Sequence, residues 1–131
     1  MNLGYEKEIV INENAFVVSV TDLRGKFIFA NDEFCRLSEF SKEELVGMHC
    51  NVLRHPDMPN HVFDDLWSTI KNGKAWSGYM KNKTKNGNYY WALANVYPFK
   101  SNSGEQCFMS CRRHPSSLIK NEDKKLQYLR G

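Results

Sequence analysis

Two short apolar runs open the folded part of the chain. Phe16 to Thr21 is β-branched and apolar, Asp22-Leu23-Arg24-Gly25 has the composition of a turn, and Lys26 to Ala30 forms a second run, which together predict a hairpin. The pattern then changes period. Asn31, with Asp32 and Glu33 behind it, reads as an N-cap with acids in the first turn, and Phe34 and Leu37 at helical spacing give a short helix one apolar side. A second short helix is signed by Ser41 and Glu44 as a capping box, Phe40 and Leu45 at the staple positions, and Gly47 at its end. Phe63, Leu66, Trp67 and Ile70 recur at i, i+3, i+4 and i+7, so residues 59–71 are predicted as the longest helix, stopped by Asn72-Gly73. Three strands follow: Ala75 to Thr84, Asn88 to Phe99 and Glu105 to Arg113, the first two joined by a turn containing Asn86-Gly87. Two strands, three helices and three strands predict an α+β domain, a five-stranded antiparallel sheet with the helices gathered on one face.

Between the second and third helices lies a stretch that fits neither period. Arg54-His55-Pro56-Asp57-Met58-Pro59 carries two prolines, each restricting its backbone and withholding a donor, so it reads as a rigid ledge. A cation, an imidazole, a carboxylate and a thioether held on such a ledge suit a polar ligand. The alternative is a purely local role, with Pro59 opening a helix, Asp57 or Met58 at its cap and Arg54 paired to Asp57.

Strand alternation adds a candidate pocket. Tyr89, Trp91, Leu93, Asn95 and Tyr97 share one face of their strand, whereas Tyr90, Ala92, Ala94 and Val96 share the other, where Ala92 and Ala94 leave room unless helical side chains fill it. In the neighbouring strand Trp76, Gly78, Met80 and Asn82 share a face. An indole, a gap and an amide suit a flat aromatic ligand, with Trp76 to stack on it and Asn82 to bond its heteroatom edge. Asn82 has the alternative of bonding nearby backbone, and Trp67 reads most simply as a core residue.

Composition narrows the classes. The 131 residues, 41% hydrophobic and 13% aromatic, suit one domain with one core. No apolar run reaches membrane-spanning length and Met1 to Lys7 lacks a secretory pattern, so the expected location is cytoplasmic, without membrane contact. The four cysteines (Cys35, Cys50, Cys107, Cys111) form no CxxC pair and are expected as free thiols. A net charge of +3 is modest, and Lys81, Lys83 and Lys85 alternate as a solvated strand face would, so nucleic acid is not an expected partner. No nucleophile elbow, phosphate-cradling glycine loop or HExxH is present, and the chain is not expected to be an enzyme.

The element order, the Asp22 to Gly25 turn, "FIFANDEFCRLSEFSKEELVG" from Phe27 and "NKTKNGNYYWALANVYP" from Asn82 resemble PAS domains from about residue 14 to residue 113. "RHPDMP" from Arg54, "DDLW" from Asp64 and "WSGYMKNKTKNG" from Trp76 are similar to the FAD-binding PAS domains of aerotaxis (energy-taxis) receptors and, less closely, to a nitrogen-fixation redox sensor. The resemblance implies residues 1–13 as an N-terminal cap, 14–114 as a PAS sensory domain and 115–131 as a connecting helix or linker. It implies non-covalently held FAD, with Asn31, Arg54, His55, Asp57, Trp67, Trp76 and Asn82 lining or supporting the site, and Arg54 either compensating the diphosphate or holding the ledge. It further implies a homodimer that reports redox or oxygen status to a signalling domain or chemoreceptor-type partner, through the apolar sheet face of Trp91, Leu93 and Tyr97 and through the tail after Pro115. A ligand-free dimerisation or docking module is the alternative.

Two other cofactor readings follow from the same family. "GMHCNVLRH" puts Cys50 where the light-sensing LOV branch keeps its flavin-attacking cysteine, yet Asn51, Arg54 and Ala92 depart from the arginine, glutamine and asparagine of that branch. His49, His55 and His61 are possible axial ligands for haem, although a histidine beside a helix is more often a cap or hydrogen-bond partner.

Overall fold

The computed structural model describes residues 6–115; the connecting helix expected after Pro115 and the first five residues of the expected cap, residues 1–5, lie outside them. Strands β1 (Val17–Asp22) and β2 (Phe27–Ala30) form the predicted hairpin, followed by helices α1 (Asp32–Ser38) and α2 (Lys42–Leu45) and a 3₁₀ turn (Cys50–Leu53). Helix α3 (Asn60–Lys71) then leads into strands β3 (Trp76–Lys83), β4 (Tyr89–Lys100) and β5 (Gln106–Arg113). The strands form one five-stranded antiparallel sheet in the order β2-β1-β5-β4-β3, so the last strand closes the gap between the two hairpins.

The caps act as their residue types dictate. Asn31 Oδ1 accepts the Phe34 N–H at 2.9 Å, and Ser41 and Glu44 satisfy each other's backbone in a capping box. Gly47, at φ 93°, takes the left-handed conformation that follows the helix. Asn31 does more than cap: its Oδ1 also accepts from Val18 N at 3.2 Å and its Nδ2 donates to Phe16 O at 2.8 Å, which clamps α1 against β1.

Two buried clusters meet at the sheet. One joins Val62, Leu66 and Ile70 of α3 to Met80, Val96 and Phe108; the other joins Phe34, Leu37 and Leu45 to Val17, Phe27, Tyr90 and Ala92. Residues just before β1 belong to the second: Ile11 is buried, and Ile9 N donates to Tyr89 O at 2.7 Å, extending the fold's N-terminal edge along β4.

Three expectations are corrected by long-range packing. Lys81 is not a solvated lysine: it is 2% exposed, and its ammonium binds Asp57. Asp57 therefore pairs with Lys81, and Arg54 instead lies over the Phe63 ring with Cζ 3.6 Å from the centroid. Trp91, expected on an open sheet face, is 2% exposed, while Tyr97 on the same face is 41% exposed.

Candidate functional site

Register decides which side chains share the inner face of the sheet. Ser19 pairs with Ser110, which pairs with Val96; Thr21 pairs with Phe108; Asn82 closes the β3 side. These residues, with Arg112 and Met80, form the floor of a cavity of about 70 Å³. Phe63, Leu66, Trp67 and Ile70 of α3 form the opposite wall, and Phe27, Cys50 and Arg54 complete it. The α3 stripe exposes one side of a 3.6-residue period, and the sheet supplies a period-2 row beneath it.

The lining has two characters. Phe63, Trp67 and Phe108 are aromatic, and the last two meet edge to face at 5.7 Å between centroids. Among the described residues, four buried polar atoms on the lining residues have no protein partner: Arg54 Nε, Asn82 Oδ1, Ser110 Oγ and Arg112 Nε. A buried donor or acceptor without a partner is costly, so such atoms concentrate where a ligand or water completes them. Asn82 is the most constrained: its Nδ2 donates to Leu53 O at 2.9 Å and its backbone pairs with Arg54, which leaves Oδ1 as an unpartnered acceptor on a residue that lines the cavity. The backbone that holds Asn82 belongs to the 3₁₀ turn, far along the chain.

Of the residues singled out from the sequence, Arg54, Trp67 and Asn82 line this cavity. Asn31, His55, Asp57 and Trp76 do not line it. Trp76 packs its ring over Gly78, where an added Cβ would lie 2.5 Å from Trp76 Cη2, and its Nε1 donates to Asp65 Oδ2 of α3 at 2.8 Å. The room left by Gly78 is thus taken by the indole two residues away. Ala92 and Ala94 are fully buried core residues and do not line the cavity, whose floor comes mainly from β1 and β5 with Met80 and Asn82 of β3 and Val96 of β4.

His55 is 5% exposed; its Nδ1 accepts the Asp57 N–H at 3.0 Å, and its Nε2 lies 3.4 Å from Glu6 Oε2. The Lys81 hydrogen bond to Asp57, opposed in part by burial, holds that carboxyl below its ordinary value. Together they lock the ledge to β3. Asn31 lies at the α1–β1 junction, as described above. None of His49, His55 and His61 lines the cavity.

Sequence reasoning missed Arg112, Ser19, Thr21, Ser110 and Phe108, all of which line the cavity. Alternation in β5 groups Phe108, Ser110 and Arg112 on one face, a signal that was present, but nothing local says that this face meets α3. Cys50 lines the cavity, and burial pushes its thiol above its ordinary value.

Residues 27–113 match the family model described as the PAS fold. The chain is 41% identical over 100 residues to the aerotaxis receptor of Escherichia coli (strain K12), covering 76% of this chain and 20% of that protein. It is 32% identical over 96 residues to phototropin-2 of Oryza sativa subsp. japonica, covering 71% of this chain and 10% of that protein. The chain therefore spans about one fifth or less of these relatives. The solved PAS domain of a protein from Colwellia psychrerythraea superposes with a TM-score of 0.67 at 25% identity, covering 76% of this chain and 86% of the other. With its sheet order, its helical wall and the match over residues 27–113, the chain belongs to the PAS fold family.

Proposed function

We propose that this chain is a sensory module that holds FAD non-covalently in the cavity between α3 and the sheet and reports redox or oxygen status to a signalling partner. The observation that carries the reading is the convergence on one cavity of unpartnered polar atoms from Arg54, Asn82, Ser110 and Arg112 beside the aromatic faces of Phe63, Trp67 and Phe108. A flavin presents a flat ring with hydrogen-bonding groups along one edge, the chemistry these residues complete. Asn82 Oδ1, an acceptor, suits a ring N–H, and Arg54 suits carbonyl or phosphate oxygen. The bound flavin would supply reversible electron transfer; the protein binds it, orients it and responds. Similarity to the aerotaxis receptor supports this assignment and, with it, a cytoplasmic homodimer acting on a chemoreceptor-type or other signalling partner, without catalysis of its own.

The test is the visible spectrum of the purified protein, followed by heat release and identification of whatever absorbs. Released FAD is the expected result. Arg54→Ala, Asp57→Ala and Trp76→Ala are each expected to lower flavin content, the first by removing a wall residue and the others by loosening the ledge and the α3–β3 contact. Full flavin in all three overturns the site assignment, and a protein that stays colourless after incubation with FAD makes a ligand-free interaction module the leading reading.

A second reading has its own observation. Cys50 lines the cavity, and its thiol is the group on which the light-driven adduct of LOV-type domains would form. Blue light that bleaches the flavin in the parent but not in Cys50→Ala supports this reading; identical spectra before and after illumination exclude it.

A further inference from the structure

The charge distribution around the cavity is one-sided. Arg54 and Arg112 line it, and no carboxylate or histidine does. Cys50, the remaining titratable side chain there, is kept neutral by burial. A ligand that displaces water from this space therefore meets two cations without a compensating anion, and stripping an ion of water is costly unless another acceptor replaces it.

The two cations differ in how deeply the protein buries them. Arg54 is only partly buried and stacks on Phe63 at 3.6 Å, and its Nε has no partner among the described residues. Arg112 is 8% exposed, yet its Nη1 reaches Ser19 Oγ only at 3.4 Å, its Cζ stands 5.1 Å from the Phe34 centroid, and its Nε has no partner among the described residues. The first distance is beyond the usual range for N–H···O, and the second is near the outer reach of a cation–π contact. Asn82, pinned to Leu53, is poorly placed to follow a change in the ligand. Arg112 is the more deeply buried of the two lining cations, the one whose charge water is least able to answer and whose contacts with the protein are long.

We propose that Arg112 holds the negative charge of the reduced flavin ring and thereby sets the redox potential of the site. The inference rests on the flavin reading above. The oxidised ring is neutral; two electrons from a reduced cellular carrier, which is oxidised in the same step, and one proton convert it to a monoanion, with no bond made to the protein. A neighbouring guanidinium favours that anion and opposes uptake of a second proton. Arg112 is thus a tuning residue for the reduced state, while Asn82 recognises the ring in both states.

The test uses the whole chain loaded with FAD, its midpoint potential measured anaerobically against indicator dyes from about pH 5.5 to about pH 8.5. One proton per two electrons gives a slope of about 30 mV per pH unit across the range, and a slope of about 59 mV means two protons are taken and overturns the proposal. Arg112→Met is expected to weaken binding of reduced relative to oxidised FAD at least tenfold, lowering the potential by about 30 mV or more, with Arg112→Lys recovering over half of the loss. An unchanged potential in Arg112→Met also overturns it. Should Arg112→Met fail to hold FAD, the slope of the parent and the potential of Arg112→Lys decide. A parent chain that takes up no FAD refutes the flavin reading itself, before any potential is measured, and this inference with it.

Discussion

Lys81 Nζ lies 2.8 Å from Asp57 Oδ2 and fastens an edge strand of the sheet to the proline-bounded ledge that precedes α3. The lysine side chain is 3% exposed and the carboxylate 48%, so the two partners differ in what their loss leaves behind. Removing Asp57 leaves a desolvated ammonium short of an acceptor, whereas removing the lysine leaves a carboxylate that water can reach. Asp57→Ala is expected to destabilise by about 1–2 kcal/mol, a charge-assisted hydrogen bond discounted for the exposed partner, and Lys81→Met by less. Urea midpoints at constant slope decide between the two; equal losses would show that the asymmetry in burial does not matter.

Gly78 and Trp76 make the sharpest packing prediction. A Cβ on residue 78 would stand 2.5 Å from Trp76 Cη2, and the indole cannot swing aside without giving up its 2.8 Å bond to Asp65. Gly78→Ala is expected to cost about 1–3 kcal/mol as overpacking. Combining it with Trp76→Leu, which removes the ring, is expected to cost less than the sum of the two single changes, and strict additivity in thermal or urea unfolding would refute the contact.

Acid should loosen a different joint. Glu39 ends α1 in the left-handed region at φ 66°, and its carboxylate accepts from the Thr84 hydroxyl and from the Asn86 and Asn88 amides of the β3–β4 hairpin. Burial alone would raise this carboxyl, but the hydrogen bonds from Thr84, Asn86 and Asn88 together outweigh it and hold it below its ordinary 4.5. Its folded value is below its unfolded one, so its contribution is complete above the unfolded value and declines as pH falls through the folded value, below about pH 4.5. Asp57, also depressed, adds in the same direction below its ordinary 3.8. Glu39→Gln is expected to flatten the acid limb of a stability-against-pH curve and change the neutral limb less; an unaltered acid limb counts against the joint.

The cavity makes a prediction through Asn82. Its Oδ1 is an acceptor held in place from Leu53, so Asn82→Asp keeps the acceptor and loses the Nδ2 donor, while Asn82→Leu loses both. FAD affinity is expected to fall in the order parent, Asn82→Asp, Asn82→Leu, the last by at least tenfold, read by fluorescence titration. An unchanged affinity in Asn82→Leu would show that this amide does not face the ring.

How far the chain announces its own structure depends on the range of the force involved. The hairpin turns, the Asn31 cap, the Ser41–Glu44 capping box, the α3 stripe and the ledge are all set by residues within a few positions of one another, through backbone dihedral limits, orphan donors and side-chain period, and all are readable before folding. Because those elements come in the order two strands, three helices, three strands, the fold class is readable too. What stands opposite what is not. That the last strand inserts between the hairpins, that Arg112 and Ser110 thereby face α3, that Trp76 fills the space above Gly78, and that Lys81 is buried against Asp57 all follow from sheet register and helix docking between segments distant in the chain. Local chemistry therefore determined the elements and the ledge, and only the tertiary packing, by deciding which buried polar atoms were left without partners, determined where the cavity lies and which charges line it.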